Sequence, residues 1–221
     1  MTLQIWLVRH GKTIFNTMGR LQGWSDAPLT PEGIEGAQAF GQALGNTVMF
    51  DRAFCSTSPR TQETARHILT AKGQPELRPT PIEALREYFF GGWEGERMQT
   101  AYEAFAARNG VADAQTWLET YRAGTSSNLM IENVHATDPL KLAETEQQFT
   151  SRLRHGMEQV LAASHPGERV LLVCHGMAIT AILKSIDATR VPYRSIQHAF
   201  AVRLEFDNGH WRLPEQEILY A

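Results

Sequence analysis

The sequence predicts an α/β fold: a three-layer α/β/α sandwich with a mainly parallel sheet, an antiparallel edge and a helical lid inserted over it. Three observations predict it. Short apolar runs that read as buried strands alternate with helical patterns through most of the chain. Two of these runs, Ile5-Trp6-Leu7-Val8 and Val170-Leu171-Leu172-Val173-Cys174, lead into Arg9-His10-Gly11 and His175-Gly176. The end of the chain reads as a hairpin, which supplies the antiparallel edge. The 221 residues suffice for one domain with a sizeable core, residues 1–221, of which 97–140 form the insertion or lid.

Taken in order, Leu3-Gln4-Ile5-Trp6-Leu7-Val8 is short, apolar and partly β-branched, as a buried strand requires. Residues 11–27 are rich in Gly, Asn, Ser and Asp and read as a long functional loop. Thr30-Pro31-Glu32-Gly33 opens a helix, with threonine as cap, proline at the first helical position and an acid in the first turn; Gly45 ends it. Residues 51–56 read as a strand, and 60–71 as a helix stopped by Gly73. A short strand is expected within 77–82, weakened by Pro79 and Pro81. Residues 88–95 form an aromatic, glycine-rich loop. The 97–140 region predicts two helices, near 97–108 and 112–122, then a polar stretch, Gly124-Thr125-Ser126-Ser127-Asn128. Residues 141–164 carry the longest helical pattern. A strand at 170–174 and a helix over 177–185 follow. Segments 198–206 and 211–219 read as hairpin arms around Asp207-Asn208-Gly209.

Composition excludes several classes. The net charge of −3 and the scattered basic residues give no electrostatic reason for a nucleic-acid or membrane partner. No apolar run approaches the roughly 20 residues of a membrane span. Arg9 interrupts the N-terminal apolar run, unlike a signal peptide. Two cysteines, Cys55 and Cys174, with no CxxC pair, point to a reducing cytoplasm rather than a disulfide framework. Any bound anion must be met by a few focused arginines.

The two strand-end histidines carry the chemical argument. Open α/β sheets bind ligands at the carboxyl ends of their strands. His10 and His175 delivered there would face one another across a ligand, and the adjoining Gly11 and Gly176 let backbone N–H groups approach an anion. A metal site fits less well: the spaced histidine and carboxylate set that zinc prefers is missing, and Arg9 would repel a cation. Cys55-Ser56-Thr57-Ser58-Pro59-Arg60 ends another strand and opens a helix, where Arg60 is badly placed beside the helix dipole unless an anion offsets it. A cysteine phosphatase loop would need one more residue than the four between Cys55 and Arg60. Glu87, set before the apolar stretch Tyr88-Phe89-Phe90, would have its pKa raised by burial and suit a proton donor; an ordinary surface glutamate is the alternative.

Together these motifs resemble the histidine phosphatase superfamily, the group of cofactor-dependent phosphoglycerate mutases and related phosphatases. Arg9-His10-Gly11-Lys12-Thr13-Ile14-Phe15-Asn16 looks like its signature loop, and residues 19–30, including Gln22 and Gly23, are similar to the segment that follows. Ser58-Pro59-Arg60-Thr61 resembles the phosphate-pocket arginine and its helix, and residues 85–95 the segment holding the proton donor. Ala143-Glu144-Thr145, with Arg152 eight residues after Glu144, resembles the long helix before the last core strand. Val173-Cys174-His175-Gly176 resembles the second histidine motif. The resemblance implies that His10 attacks phosphorus, that Arg9, Arg60 and His175 hold the phosphoryl oxygens, and that Glu87 protonates the leaving alcohol. Asn16, Gln22, Gly23 and Gly176 complete the expected binding set. No metal or other cofactor is implied; the partner is a small phosphorylated metabolite, and a homodimer is left open.

Phosphatase and mutase differ in what meets the phosphohistidine. Mutases of this family carry a longer insertion with a basic, tyrosine-containing stretch and a run of prolines. The region here offers Arg97, Arg108, Arg122 and Lys141 with Tyr102, Phe105, Trp117 and Tyr121, and lacks both features. The expected activity is a phosphomonoesterase. A cofactor-dependent phosphoglycerate mutase is the alternative. A non-catalytic phospho-ligand binder is more remote, because Arg9, His10, Arg60, Glu87 and His175 are all present.

Overall fold

The computed structural model describes residues 1–123, 129–189, 201–214 and 218–220. The predicted class holds: a mixed, mostly parallel sheet with an antiparallel edge, covered on both faces by helices. The strands are β1 (Leu3–Arg9), β2 (Arg52–Ser56), β3 (Thr80–Ile82), β4 (Arg169–Cys174), β5 (Ala201–Asp207), β6 (His210–Arg212) and β7 (Ile218–Tyr220). They run in the order β3-β2-β4-β1-β5-β6, with β7 also on β5. The first four strands of that order pair in parallel, and β5 turns antiparallel against β1.

Period-two alternation divides the core between the faces. Leu3, Ile5 and Leu7 of β1 join one apolar cluster, and Trp6 and Val8 join the other. In β4, Val170, Leu172 and Cys174 go one way and Leu171 and Val173 the other. Both faces are apolar because both are covered by helices. A short α1 (Ile14–Thr17) sits in the loop after β1. On one face lie α2 (Pro31–Ala43) and α3 (Pro59–Ala71). The other face carries α7 (Glu146–Ala162) and α8 (Gly176–Ile186), with α4 (Met98–Asn109), α5 (Ala114–Ala123) and α6 (Leu129–Thr137) in the same cluster. Thr30 caps α2 by accepting from Gly33 N–H, and Pro31 occupies its first position, as predicted. A Cβ on Gly33 would overlap the Lys12 carbonyl, so glycine there lets the loop after His10 lie directly on α2.

Three elements differ from expectation. Residues 97–140 hold three helices, not two: α6 has only nine residues, and its apolar Met130, Ile131 and Val134 span too little chain to show a helical period. The helix expected from residue 141 starts at Glu146. Buried Asp138 draws the N–H groups of Leu140, Leu142 and Ala143 around its carboxylate, and Lys141 adopts φ 54°. The helix starts where Thr145 and Gln148 form a reciprocal capping box. At the end of the chain, Asn208 and Gly209 make a tight turn with φ 50° and 82°, but its second arm stops at Arg212, and β7 pairs separately with β5. The polar stretch 124–128 and residues 198–200 and 215–217 of the predicted hairpin lie outside the described residues. Among the described residues, no helix is long and apolar enough to cross a membrane.

Candidate active site

The site lies at the carboxyl ends of the parallel strands. His10 directly follows β1 and is nearly buried. Its backbone N–H donates to the Cys174 carbonyl at 3.0 Å, which ties the ends of β1 and β4 together. His10 Nδ1 lies 2.8 Å from the Gly11 carbonyl oxygen, so in the neutral ring Nδ1 carries the hydrogen and Nε2 the lone pair. The adjacent His175 ring packs edge-on to it, with centroids 5.3 Å apart.

His175 caps α8 in position and is fully buried. Arg60 NH2 donates to its Nδ1 at 3.0 Å, and a guanidinium can only donate, so Nδ1 must be the acceptor. Nε2 therefore carries the hydrogen and donates to Ser56 Oγ at 2.7 Å. Burial, reinforced by Arg60, His10 and Arg9, holds the His175 pKa well below the usual histidine range, so the ring stays neutral. Ser56 is also held from the other side: its Oγ accepts from Ser58 N–H and contacts Thr61 Oγ1 at 3.0 Å. Nothing in the sequence marked Ser56, which lies 119 residues from its partner.

Arg60, in the first turn of α3, is 1% exposed. The anion it needs is internal: NH1 pairs with Asp26 at 2.6 Å and also donates to the Ser25 carbonyl, while NH2 donates to the Gly23 carbonyl as well as to His175. Burial lowers its pKa, with the Asp26 contact opposing. Gly23 is correspondingly committed. Its N–H donates to Glu94, whose carboxylate also gathers the N–H groups of Trp24, Ser25 and Phe90 and the Ser25 hydroxyl. A Cβ on Gly23 would overlap the Tyr88 carbonyl, which is why this loop can lie flat on the Glu87 segment.

Glu87 is buried at the N-terminus of α8. Its Oε2 accepts from Met177 N–H, and its Oε1 from Ala178 N–H and Tyr88 N–H, at 2.9–3.0 Å. Burial raises its pKa, while these backbone donors and the Arg60 and Arg9 charges pull it back. Its backbone is pinned too: the Glu87 carbonyl accepts from Trp24 Nε1 and Arg152 NH2. Arg152 further donates to the Ala84 and Arg86 carbonyls and pairs with Glu144 at 2.7 Å. The Arg86 guanidinium lies 4.6 Å above the Trp24 ring, on which Phe89 also packs.

A cavity of about 1070 Å³ opens from these residues. Arg9, His10, Asn16, Gln22, Glu87 and Gly176 line it; Gly23, Arg60 and His175 stand behind that lining. Burial brings the Arg9 pKa down to about 10, helped by Arg60 and opposed by Glu87. Asn16 closes a capping box with Thr13 through its Oδ1. Gln22 Oε1 accepts from the Thr13 hydroxyl at 2.6 Å, and its buried Nε2 has no protein partner. That amide is positioned to donate to a ligand oxygen. Among the described residues, no group of three or more His, Cys, Asp and Glu could hold a metal ion. Cys55 is buried with its pKa raised to about 12 by burial, which suits a structural thiol.

Comparison with known proteins agrees with this architecture. A family profile described as "Histidine phosphatase superfamily (branch 1)" matches residues 5–218. A 2,3-bisphosphoglycerate-dependent phosphoglycerate mutase 2 of Gloeobacter violaceus is 30% identical over 82% of this chain and 74% of its own. The crystal structure of a phosphoglycerate mutase from Bacillus anthracis superposes with a TM-score of 0.88 at 31% identity, covering 96% of this chain and 92% of that one. The alpha-ribazole phosphatase of Shigella flexneri shares the fold, with a TM-score of 0.70 at 23% identity over 96% and 94% of the two chains.

Proposed function

The chain belongs to branch 1 of the histidine phosphatase superfamily, and on that premise we propose that it hydrolyses phosphomonoesters of small metabolites through a phosphohistidine on His10. The Nε2 lone pair of His10 attacks phosphorus, forming the P–N bond as the ester P–O bond breaks. Glu87, whose pKa burial raises, gives its proton to the departing alkoxide. Its Oε2 accepts one backbone N–H and Oε1 two, so Oε2 has more room for the proton. Water then gives a proton back to Glu87 and attacks the phosphohistidine, releasing phosphate and restoring the His10 lone pair. Arg9 and the Gln22 amide hold phosphoryl oxygens; buried Arg60, its charge paired with Asp26, holds the His175 ring in place by donating to its Nδ1. No step needs a metal.

One observation carries hydrolysis over phosphoryl return to a bound phosphoglycerate. Of the four basic residues in the 97–141 stretch, only Arg122 lines the cavity. Arg108 instead donates to Asn133, and Lys141 lies in the Asp138 turn. The wall they would have made basic is formed by Tyr102, Leu118, Tyr121, Met130 and Ile131. Such a wall leaves space for water; among the described residues, the lining cations beyond Arg9 that could pair with a phosphoglycerate carboxylate are Arg20, Arg122 and Lys184. The mutase reading is favoured by the names of the Gloeobacter and Bacillus relatives. The deciding experiment follows inorganic phosphate from p-nitrophenyl phosphate and 3-phosphoglycerate in parallel with conversion of 3- to 2-phosphoglycerate primed by bisphosphoglycerate. Phosphate release without efficient interconversion is expected; efficient interconversion overturns the reading.

A further inference from the structure

We infer that the alcohol released by this enzyme is an extended apolar, ring-bearing group rather than a short phosphorylated acid, an inference that rests on the hydrolytic reading above. The cavity's volume, about 1070 Å³, lies at the upper end of what pockets for drug-sized ligands enclose. Its length follows from α8. Gly176, Met177, Thr180, Ala181 and Lys184 of that helix all line it, at the spacing of one helical face. The cavity therefore runs eight residues from Gly176, beside the His10 end, to Lys184, roughly 12 Å at the rise of an α-helix.

The walls of that run are mainly apolar, with Thr150 and Thr180 among them. Phe149 on α7 and Met177 and Ala181 on α8 form one side; Tyr102, Leu118, Tyr121, Met130 and Ile131 form the other. The aromatic side is braced from behind. Trp117, which is 1% exposed, stacks on Tyr121 with an interplanar angle of 4° and on Tyr102 at 29°. A pre-formed stack of this kind presents ring faces to a ligand at little entropic cost. The far end is polar but balanced. Glu119 and Glu146 line it with Arg122 and Lys184, and Lys184 Nζ lies 4.0 Å from Glu146 Oε1. It holds no excess of positive charge for a second phosphate or a carboxylate.

The test compares two primary-alkyl esters whose leaving groups differ little in acidity, propyl phosphate and 4-phenylbutyl phosphate, and the two matching alkylphosphonates as unreactive ligands. Burying the phenylbutyl body should raise kcat/KM, and tighten phosphonate binding measured by calorimetry, by roughly 10–100-fold. Ala181→Phe, which narrows the middle of the run, should lower that ratio toward one. Equal phosphonate affinities in the wild type overturn the inference, as does a ratio unaffected by Ala181→Phe in a variant whose circular dichroism matches the wild type. Failure to hydrolyse either ester or p-nitrophenyl phosphate defeats the hydrolytic reading instead, because phosphonate binding reads the cavity without turnover.

Discussion

The two ends of the cavity are held in place by different forces. At the strand ends, His10, Glu87, Arg60 and His175 are fixed by hydrogen bonds to backbone groups and to one another. At the helical end, Tyr102, Phe105, Trp117 and Tyr121 are held by ring packing between short helices. Hydrogen bonds dictate atom positions and protonation states, which a reaction needs. Ring packing dictates shape and area, which binding needs, and tolerates moderate change. Substitutions at the first end should therefore damage chemistry beyond their effect on stability. Those at the second should damage stability and affinity, leaving the chemical step for small substrates largely intact.

The largest expected effect is at His10. His10→Ala should lower hydrolysis of p-nitrophenyl phosphate by roughly 10³-fold or more, with no acid-labile, base-stable phosphoryl label trapped during turnover. Wild-type turnover by this variant would remove the central claim. Glu87→Gln should cost about 10²–10⁴-fold on alkyl phosphates but much less on p-nitrophenyl phosphate, whose leaving group needs no proton. Equal losses on both would assign Glu87 another role.

The same variant has a stability signature. Burial raises the folded pKa of Glu87 above the ordinary value of about 4.3. The folded chain thus holds this proton more tightly than the unfolded chain. The contribution is fully present below about pH 4.3 and is lost as pH rises through the raised value. The urea midpoint of Glu87→Gln should therefore gain on wild type between acid and neutral pH; a constant difference would contradict a raised pKa.

At the opposite end, Trp117→Ala should cost about 3–5 kcal/mol of stability by urea unfolding. In whatever fraction remains folded, kcat for a small activated ester should change little. A collapse of kcat alone would mean that the aromatic stack supports chemistry after all. The smallest effect is expected at Ser56. Ser56→Ala leaves the His175 Nε2 hydrogen without its acceptor, at about 1–3 kcal/mol. The Arg60 contact still fixes the His175 tautomer, but the ring loses its second anchor, so kcat should fall while KM holds, whereas a purely structural role would leave kcat per folded molecule unchanged. Ser56→Thr, which keeps the hydroxyl, should restore kcat if it is tolerated.

Much of the fold was legible because the signals were local. The apolar run of β1, the Thr30-Pro31 start of α2 and the Asn208-Gly209 turn each depend on a few consecutive residues. The missed elements depended on distant ones. Asp138 delays α7 through a turn that also binds Gly92 N–H, 46 residues away. α6 is too short to announce itself and is buried in part by neighbours on α4. The candidate site shows the same division. His10, Glu87 and Arg60 stood out by type and position, while Ser56, Asp26 and Glu94, which orient them, did not. Gly23 donates to Glu94, and Arg60 donates to Asp26, Ser25, Gly23 and His175, partners that no local pattern showed.

By itself, then, the sequence determined the strands, their polar endings and the family those endings resemble, because strand alternation, caps and short motifs are written within a few residues. Tertiary structure alone decided which nitrogen of His175 carries its hydrogen, where Arg60 spends its charge and how long and apolar the cavity is. Those properties arise where Ser56 meets His175, where Asp26 meets Arg60 and where three short helices meet α7 and α8. Such meetings are set by packing of the whole chain, which no local pattern encodes.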